Sequence, residues 1–320
     1  MTVSSQDIAS CFERVTGEFG KVIKGQPDVA RSVFLTLLLG GHALIEGPPG
    51  TAKTLVVRTL AAITSARFKR IQFTPDLMPS DVIGTNIFDP RTGEFRFREG
   101  PIFTDLLLAD EINRAPAKTQ AALLECMEER HATVDGVRHP ISPVFTVFAT
   151  QNPIEFEGTY PLPEAQLDRF MSKILVDFPA RGEEMEIVAL HDSGFDPSDL
   201  ETASIRTVLG LDEMVALRGI IMKTRVDEKV RGYITDVVQA TRRHPQVSVG
   251  ASPRAAVFML RMAKAIALLE GRDFAVPDDV KKFALPILRH RLILKPEAEI
   301  EGSSTDDVVS DILSTVKVPM

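Results

Sequence analysis

Cysteine is nearly absent: Cys11 and Cys126 are the only two in 320 residues, and they stand far apart. That argues against a disulfide framework or a cysteine-built zinc site and fits a reducing, cytoplasmic setting. Long apolar runs are missing as well. The longest candidate, around Val33–Leu39, is too short to span a bilayer and runs into Gly40-Gly41. The start, Met1-Thr2-Val3-Ser4-Ser5-Gln6-Asp7, has no basic segment leading into an apolar core, so no secretory signal is expected. Nor is there an excess of basic charge. The net charge is −7, which disfavours bulk attraction to nucleic acid while leaving a local basic groove open. No internal repeat is found. What remains is ordinary globular composition, 44% hydrophobic and 25% charged, in a length that allows about one to three domains.

Against that background one stretch stands out: Leu44-Ile45-Glu46-Gly47-Pro48-Pro49-Gly50-Thr51-Ala52-Lys53-Thr54. An apolar run ends in a Gly/Pro loop, and the loop opens onto the apolar-periodic residues Leu55, Val56, Leu60 and Ile63. This order predicts strand, phosphate-cradling loop and helix. Gly47 and Gly50 let the backbone wrap a polyphosphate with its N–H groups inward. The new helix adds its positive end. Lys53 would reach the β- and γ-phosphates, and Thr54 would place its hydroxyl on Mg²⁺. The candidate nucleotide-binding stretch runs through Gly47, Pro48, Pro49, Gly50, Thr51, Ala52, Lys53, Thr54 and Leu55. Position 52 departs from the common spelling, which has Gly there. Ala costs little if its φ is helical and is strained if φ is positive. Taken alone, a turn that binds nothing would have the same spelling.

Before this loop, helices are predicted over 6–20 and over Asp28–Leu39. Between them Val22-Ile23-Lys24-Gly25-Gln26 reads either as the wall of an adenine pocket or as a plain loop. After it, Arg67–Phe73 alternates as a strand does, and Pro75 and Pro79 break it. Asp89-Pro90-Arg91-Thr92-Gly93 has hairpin turn chemistry. Leu106-Leu107-Leu108-Ala109 suits a strand buried on both faces. It ends in Asp110-Glu111, where parallel sheets carry their sites. Paired with the loop at 47–54, Asp110 reads as a holder of the Mg²⁺ shell and Glu111 as the group that polarises water. A further hairpin turns at Asp135-Gly136. Val144–Ala149 is a third buried strand, which puts Asn152 near the water or γ-phosphate. A helix over 162–170 carries Arg169 near its end, and Ile174–Val176 is the last strand. Whether the hairpins are functional projections or surface excursions is open from sequence. From Ala180 onward, helical periodicity dominates. Arg254 stands in a first helical turn, where the dipole disfavours a cation, so it meets a phosphate or is a surface arginine. The basic run Lys281-Lys282…Arg289-His290-Arg291 reads as a solvated helix face. The fold class is α/β: a core over 1–179, with hairpin inserts near 75–101 and 130–143, then an all-helical domain over 180–320.

Gly47–Thr54, Leu106–Asn113, Ala149-Thr150-Gln151-Asn152-Pro153, Glu164–Phe170 and Ser252-Pro253-Arg254, in this order and spacing over nearly the whole chain, resemble the MoxR family of AAA+ ATPases. Ala52 is part of that family's spelling. The resemblance implies a P-loop core with a parallel five-stranded sheet, a helical lid, and a homo-oligomeric ring, usually hexameric, with ATP at subunit boundaries. By motif position it implies Lys53 and Thr54 on phosphate and Mg²⁺, Asp110 and Glu111 on metal and water, Asn152 and Arg254 as sensors, and Arg169 as an arginine finger. Apart from the resemblance, Gly25 and Gln26 keep the reading given above, the wall of an adenine pocket or a plain loop. It also implies a chaperone-like role, maturing or activating protein clients that often carry von Willebrand factor A domains. Three rivals share parts of this pattern. They are a magnesium-chelatase-like subunit, a nucleotide-gated scaffold with little turnover, and a helicase-like motor. Intact Glu111 and Arg169 argue against the scaffold, and the acidic balance argues against the motor.

Overall fold

The structure, a computed structural model, describes residues 5–151 and 159–319, with side chains from Ile8. Asn152 falls outside the described residues. The chain forms two compact units. One comprises Thr16–Arg169 and Ile174–Leu211. The other comprises the chain from Asp212 onward, the N-terminal stretch through Val15, and Phe170–Lys173.

Before residue 180 the strands are β1 (Ala43–Glu46), β2 (Phe68–Gln72), β3 (Gly84–Asp89), β4 (Glu94–Glu99), β5 (Leu106–Asp110), β6 (His131–Val134), β7 (Val137–Pro140), β8 (Thr146–Gln151) and β9 (Ser172–Leu175). Five of them make a parallel sheet in the order β2-β5-β8-β1-β9. Leu106, Leu107, Leu108 and Ala109 are all buried, as a strand covered on both faces requires. This order sets the carboxyl ends of β5, β8 and β1 side by side, the edge where such sheets take ligands.

Helices α1 (Ser5–Val22), α2 (Pro27–Leu38), α3 (Lys53–Ile63), α4 (Pro79–Ile83), α5 (Ala117–Glu129), α6 (Glu164–Leu167) and α7 (Arg181–Asp192) come before residue 200. Pro27 opens α2 at its first turn, where its missing N–H is no loss. Both expected hairpins form, β3–β4 and β6–β7. The second turns through Asp135 and Gly136 with φ 49 and 81, the primed geometry that matches strand twist. Asn86 Nδ2 donates to Asp135 Oδ2 at 2.7 Å, joining the two hairpins.

The second unit is mainly helical: α8 (Leu211–Lys223), α9 (Glu228–Arg243), α10 (Pro253–Leu269), α11 (Pro277–Leu288), α12 (Pro296–Ile300) and α13 (Thr305–Thr315), with two short strand pairs, Arg225–Val226 with Phe274–Ala275 and Val247–Val249 with Ile293–Leu294, where an all-helical domain is expected from sequence. Ser252 caps α10 by accepting from Arg254 N. The buried Asp279 binds Arg272 through both carboxylate oxygens, at 2.6 and 2.9 Å. The expected helix over 162–170 is shorter than the motif, ending at Leu167. The basic residues after α11 are not a solvated face. Arg289 makes a two-pronged pair with Asp306, and Arg291 is buried.

Candidate functional site

The loop after β1 works because Gly47 has no side chain. A Cβ there would lie 2.1 Å from the carbonyl oxygen of Val176, beyond β9. Gly50 takes φ 82 and Ala52 takes φ 60. Position 52 is therefore left-handed, the strained alternative for Ala. Thr51 Oγ1 donates to Pro48 O at 2.8 Å, bracing the loop. Lys53 Nζ donates to the carbonyls of Gly47 and Pro48, both at 2.8 Å. Burial pushes the Lys53 ammonium pKa down, while Asp110 and Glu111 oppose that shift.

Those two acids stand at the end of β5. Asp110 Oδ2 accepts from Arg70 Nη2 at 2.6 Å and from Arg70 Nε at 3.1 Å. Its Oδ1 accepts from Thr150 Oγ1. Glu111 has φ 54 and caps a short 3-10 turn, Ile112–Arg114. Its N–H donates to Thr150 Oγ1 at 2.9 Å. Its Oε2 accepts from Gln72 Nε2 at 2.7 Å and from Arg114 Nη1 at 3.0 Å. Thr150 on β8 thus touches both acids. The carboxylates of Asp110 and Glu111 are held by Arg70 and Gln72 from the edge strand β2. Sequence alternation marks Arg70 and Gln72 only as residues off the β2 core, so their role has no local signal.

Loop and acids line one cavity of about 540 Å³. Pro49, Gly50, Thr51, Ala52, Lys53, Thr54 and Leu55 form one side, with Asp110, Glu111, Thr150 and Gln151 beyond them. The remaining wall is largely apolar: Val22, Ile23, Ile187, Leu190, Phe195 and Pro197, with Gln26 and His191 among them. Gln26 Nε2 donates to Asp177 O at 3.2 Å, while its Oε1 is buried with no hydrogen-bond partner. A phosphate loop, an apolar slot and one orphaned acceptor suit a nucleotide whose base carries an N–H donor. Thr54 and Asp110 supply hard oxygens, which suit Mg²⁺. Among the described residues no cluster of three or more His, Cys, Asp or Glu could hold a metal alone.

Gly25, with φ 70, packs against the Glu183 carboxylate and lines a smaller adjoining cavity of about 190 Å³. Arg169 does not line the nucleotide cavity. Its Nη2 pairs with Glu128 Oε2 on α5 at 3.1 Å. Arg254 lies in the first turn of α10, in the helical unit. The cavity wall from α7, with Phe195 and Pro197 after it, was not singled out in the sequence, because i, i+3, i+4 spacing marks a buried face but not what it faces. Among the described residues no helix is long and apolar enough to cross a membrane.

Residues 42–172 match the ATPase family associated with various cellular activities (AAA), and residues 239–312 match the AAA lid domain. The chain is 44% identical over 315 residues to the protein YeaC of Bacillus subtilis, covering 98% of this chain and 97% of that one. It is 43% identical over 317 residues to chaperone MoxR1 of Mycobacterium tuberculosis, covering 96% and 82%. A crystal structure of a candidate ATPase from Cytophaga hutchinsonii is 41% identical, with a TM-score of 0.90 over 99% of this chain and 97% of that one. With a phosphate loop, paired acids and lid in one order and two such relatives matched along nearly the whole of this chain, the chain belongs to the MoxR family of AAA+ ATPases.

Proposed function

We propose that this protein hydrolyses ATP at a site shared between subunits of a homo-oligomeric ring, six-membered in this reading, and uses the cycle to remodel or activate a protein client. The observation that carries the proposal is the convergence of Lys53, Thr54, Asp110 and Glu111 on one cavity that also holds the unpartnered Gln26 acceptor.

In this reading the amides of Gly47–Thr54 bind the phosphates, and Lys53 leaves its two loop carbonyls to neutralise them. Thr54 and Asp110 would hold Mg²⁺, which would supply positive charge against the phosphates. Glu111 orients and polarises the attacking water. Asn152 and Arg254 serve as γ-phosphate sensors, and Gln26 accepts from the base. Arg169, parked on Glu128 in the single subunit, serves the neighbouring subunit. Phosphoryl transfer depends mainly on positioning and charge stabilisation, and an arginine finger is worth about 10³–10⁵ in rate. An isolated subunit is therefore a poor catalyst.

The client reading draws on two supports. The MoxR1 relative is named a chaperone. The β3–β4 hairpin also carries Phe88 and Phe95 exposed, with ring centroids 5.4 Å apart. The proposed client class is a protein with a von Willebrand factor A domain. The test of the shared site mixes Lys53→Ala subunits with Arg169→Ala subunits. Mixed rings are expected to regain turnover that neither variant has alone. Mixed rings that stay at the level of the single variants contradict the shared site.

A further inference from the structure

Arg291 is the most deeply buried arginine described, 7% exposed. It lies past the end of α11, and its guanidinium reaches back along the chain. Nη1 donates to Ile287 O, closing the end of α11, and to Met171 O at 3.3 Å. Nη2 donates to Phe170 O. Phe258 of α10 lies under the guanidinium, with its ring centroid 5.2 Å away, a cation–π contact. His290 Nε2 lies 3.1 Å from the same Phe170 carbonyl. Burial first, and Arg291 second, hold the His290 pKa well below its ordinary range. The imidazole is therefore neutral beside the guanidinium. The side chains of Phe170 and Met171 are themselves fully buried.

The position of this clamp gives it significance. The chain enters the helical unit at Phe170 and leaves it after Lys173. Arg169 is the residue immediately before that entry. We propose that Arg291 is a positioning residue for Arg169: by gripping the Phe170 and Met171 carbonyls it fixes the backbone next to the finger. This rests on the reading of Arg169 as a donor to the neighbouring site. An apolar residue at 291 could fill the volume, but it would remove the guanidinium's bonds to both carbonyls. The planar guanidinium meets these carbonyls from separate nitrogens in one rigid plane and stacks on Phe258, a geometry that a lysine's single ammonium does not reproduce.

The test is complementation between subunits. Arg291→Met alone is expected to lower turnover about tenfold or more, since small misplacements of a catalytic group are costly. Its affinity for a fluorescent ADP should stay within about twofold, as expected when binding groups are untouched. Mixed with Lys53→Ala subunits, which offer an intact finger, it should recover activity as the Arg169→Ala plus Lys53→Ala control does. Recovery in the control but not with Arg291→Met places the defect in the variant's own site and overturns the proposal. Full activity of Arg291→Met alone overturns it as well. A control that fails to recover removes the finger reading and this proposal together. Should Arg291→Met not fold, Arg291→Lys keeps the charge without the fork and is judged by the same outcomes.

Discussion

Two residues at the candidate site, Ala52 and Glu111, hold left-handed backbone angles, φ 60 and φ 54. For an L-residue this costs about 1–2 kcal/mol, and the cost falls next to the residues proposed to handle phosphate and water. Ala52→Gly should raise nucleotide-free stability by about 0.5–1 kcal/mol, because glycine's greater freedom when unfolded offsets part of the relief. Urea unfolding measures this, and a less stable variant would show that φ is not strained. At Glu111 the carboxylate is fixed by Gln72 and Arg114. Gln72→Leu removes one of these donors, leaving the acid free to sample other rotamers. Turnover should fall about tenfold with nucleotide affinity little changed. A loss confined to affinity would instead place Gln72 in binding. The phosphate loop was legible because its chemistry is local. Gln72 and Arg70 were not, because their partners are set by strand order.

At the scale of elements, β1 is fixed at both ends. At its carboxyl end, Gly47 lets Val176 O approach to where a Cβ would sit, 2.1 Å away. Gly47→Ala must displace β9 or the loop, and should destabilise the protein by about 2 kcal/mol or more, as overpacking does. Unchanged thermal unfolding would contradict that. At its other end, His42 Nδ1 accepts from Val147 N at 2.9 Å, and Nε2 donates to Met127 O at 3.2 Å. The ring ties β8 and α5 together in its neutral form. Burial, with Arg130 adding to it, pushes the His42 pKa from 6.5 to about 3. The unfolded chain therefore takes up a proton near pH 6.5 that the folded chain refuses. Stability is complete above that pH and is lost as pH falls from 6.5 toward 3, by on the order of 5 kcal/mol in full. His290 is shifted in the same direction. Denaturant midpoints across this range should fall with acid, and less steeply in His42→Gln. An equally steep fall in the variant would place the loss elsewhere. After α6 ends at Leu167, the Phe170 and Met171 carbonyls accept from Arg291, 120 and more residues on. No window of sequence contains both partners.

For the whole molecule, the sheet, the hairpins and the later helices were all legible, because each rests on periodicity or turn chemistry. That Phe170–Lys173 belongs with the helical unit was not, since it depends on contacts far apart in sequence. The exposed pair Phe88 and Phe95 lies on a hairpin, outside the five-stranded sheet and the nucleotide cavity. Replacing both with serine should leave turnover within about twofold, as surface changes away from a site do. Client activation should be lost. Normal client activation would exclude the hairpin as the contact. The central claim, that each turnover site is completed by the next subunit, is tested most directly by cryo-electron microscopy of the oligomer with Mg²⁺ and a non-hydrolysable ATP analogue. The account predicts that the Arg169 guanidinium leaves Glu128 and lies against a neighbour's γ-phosphate. A map with Arg169 still on Glu128 and remote from every phosphate would contradict it.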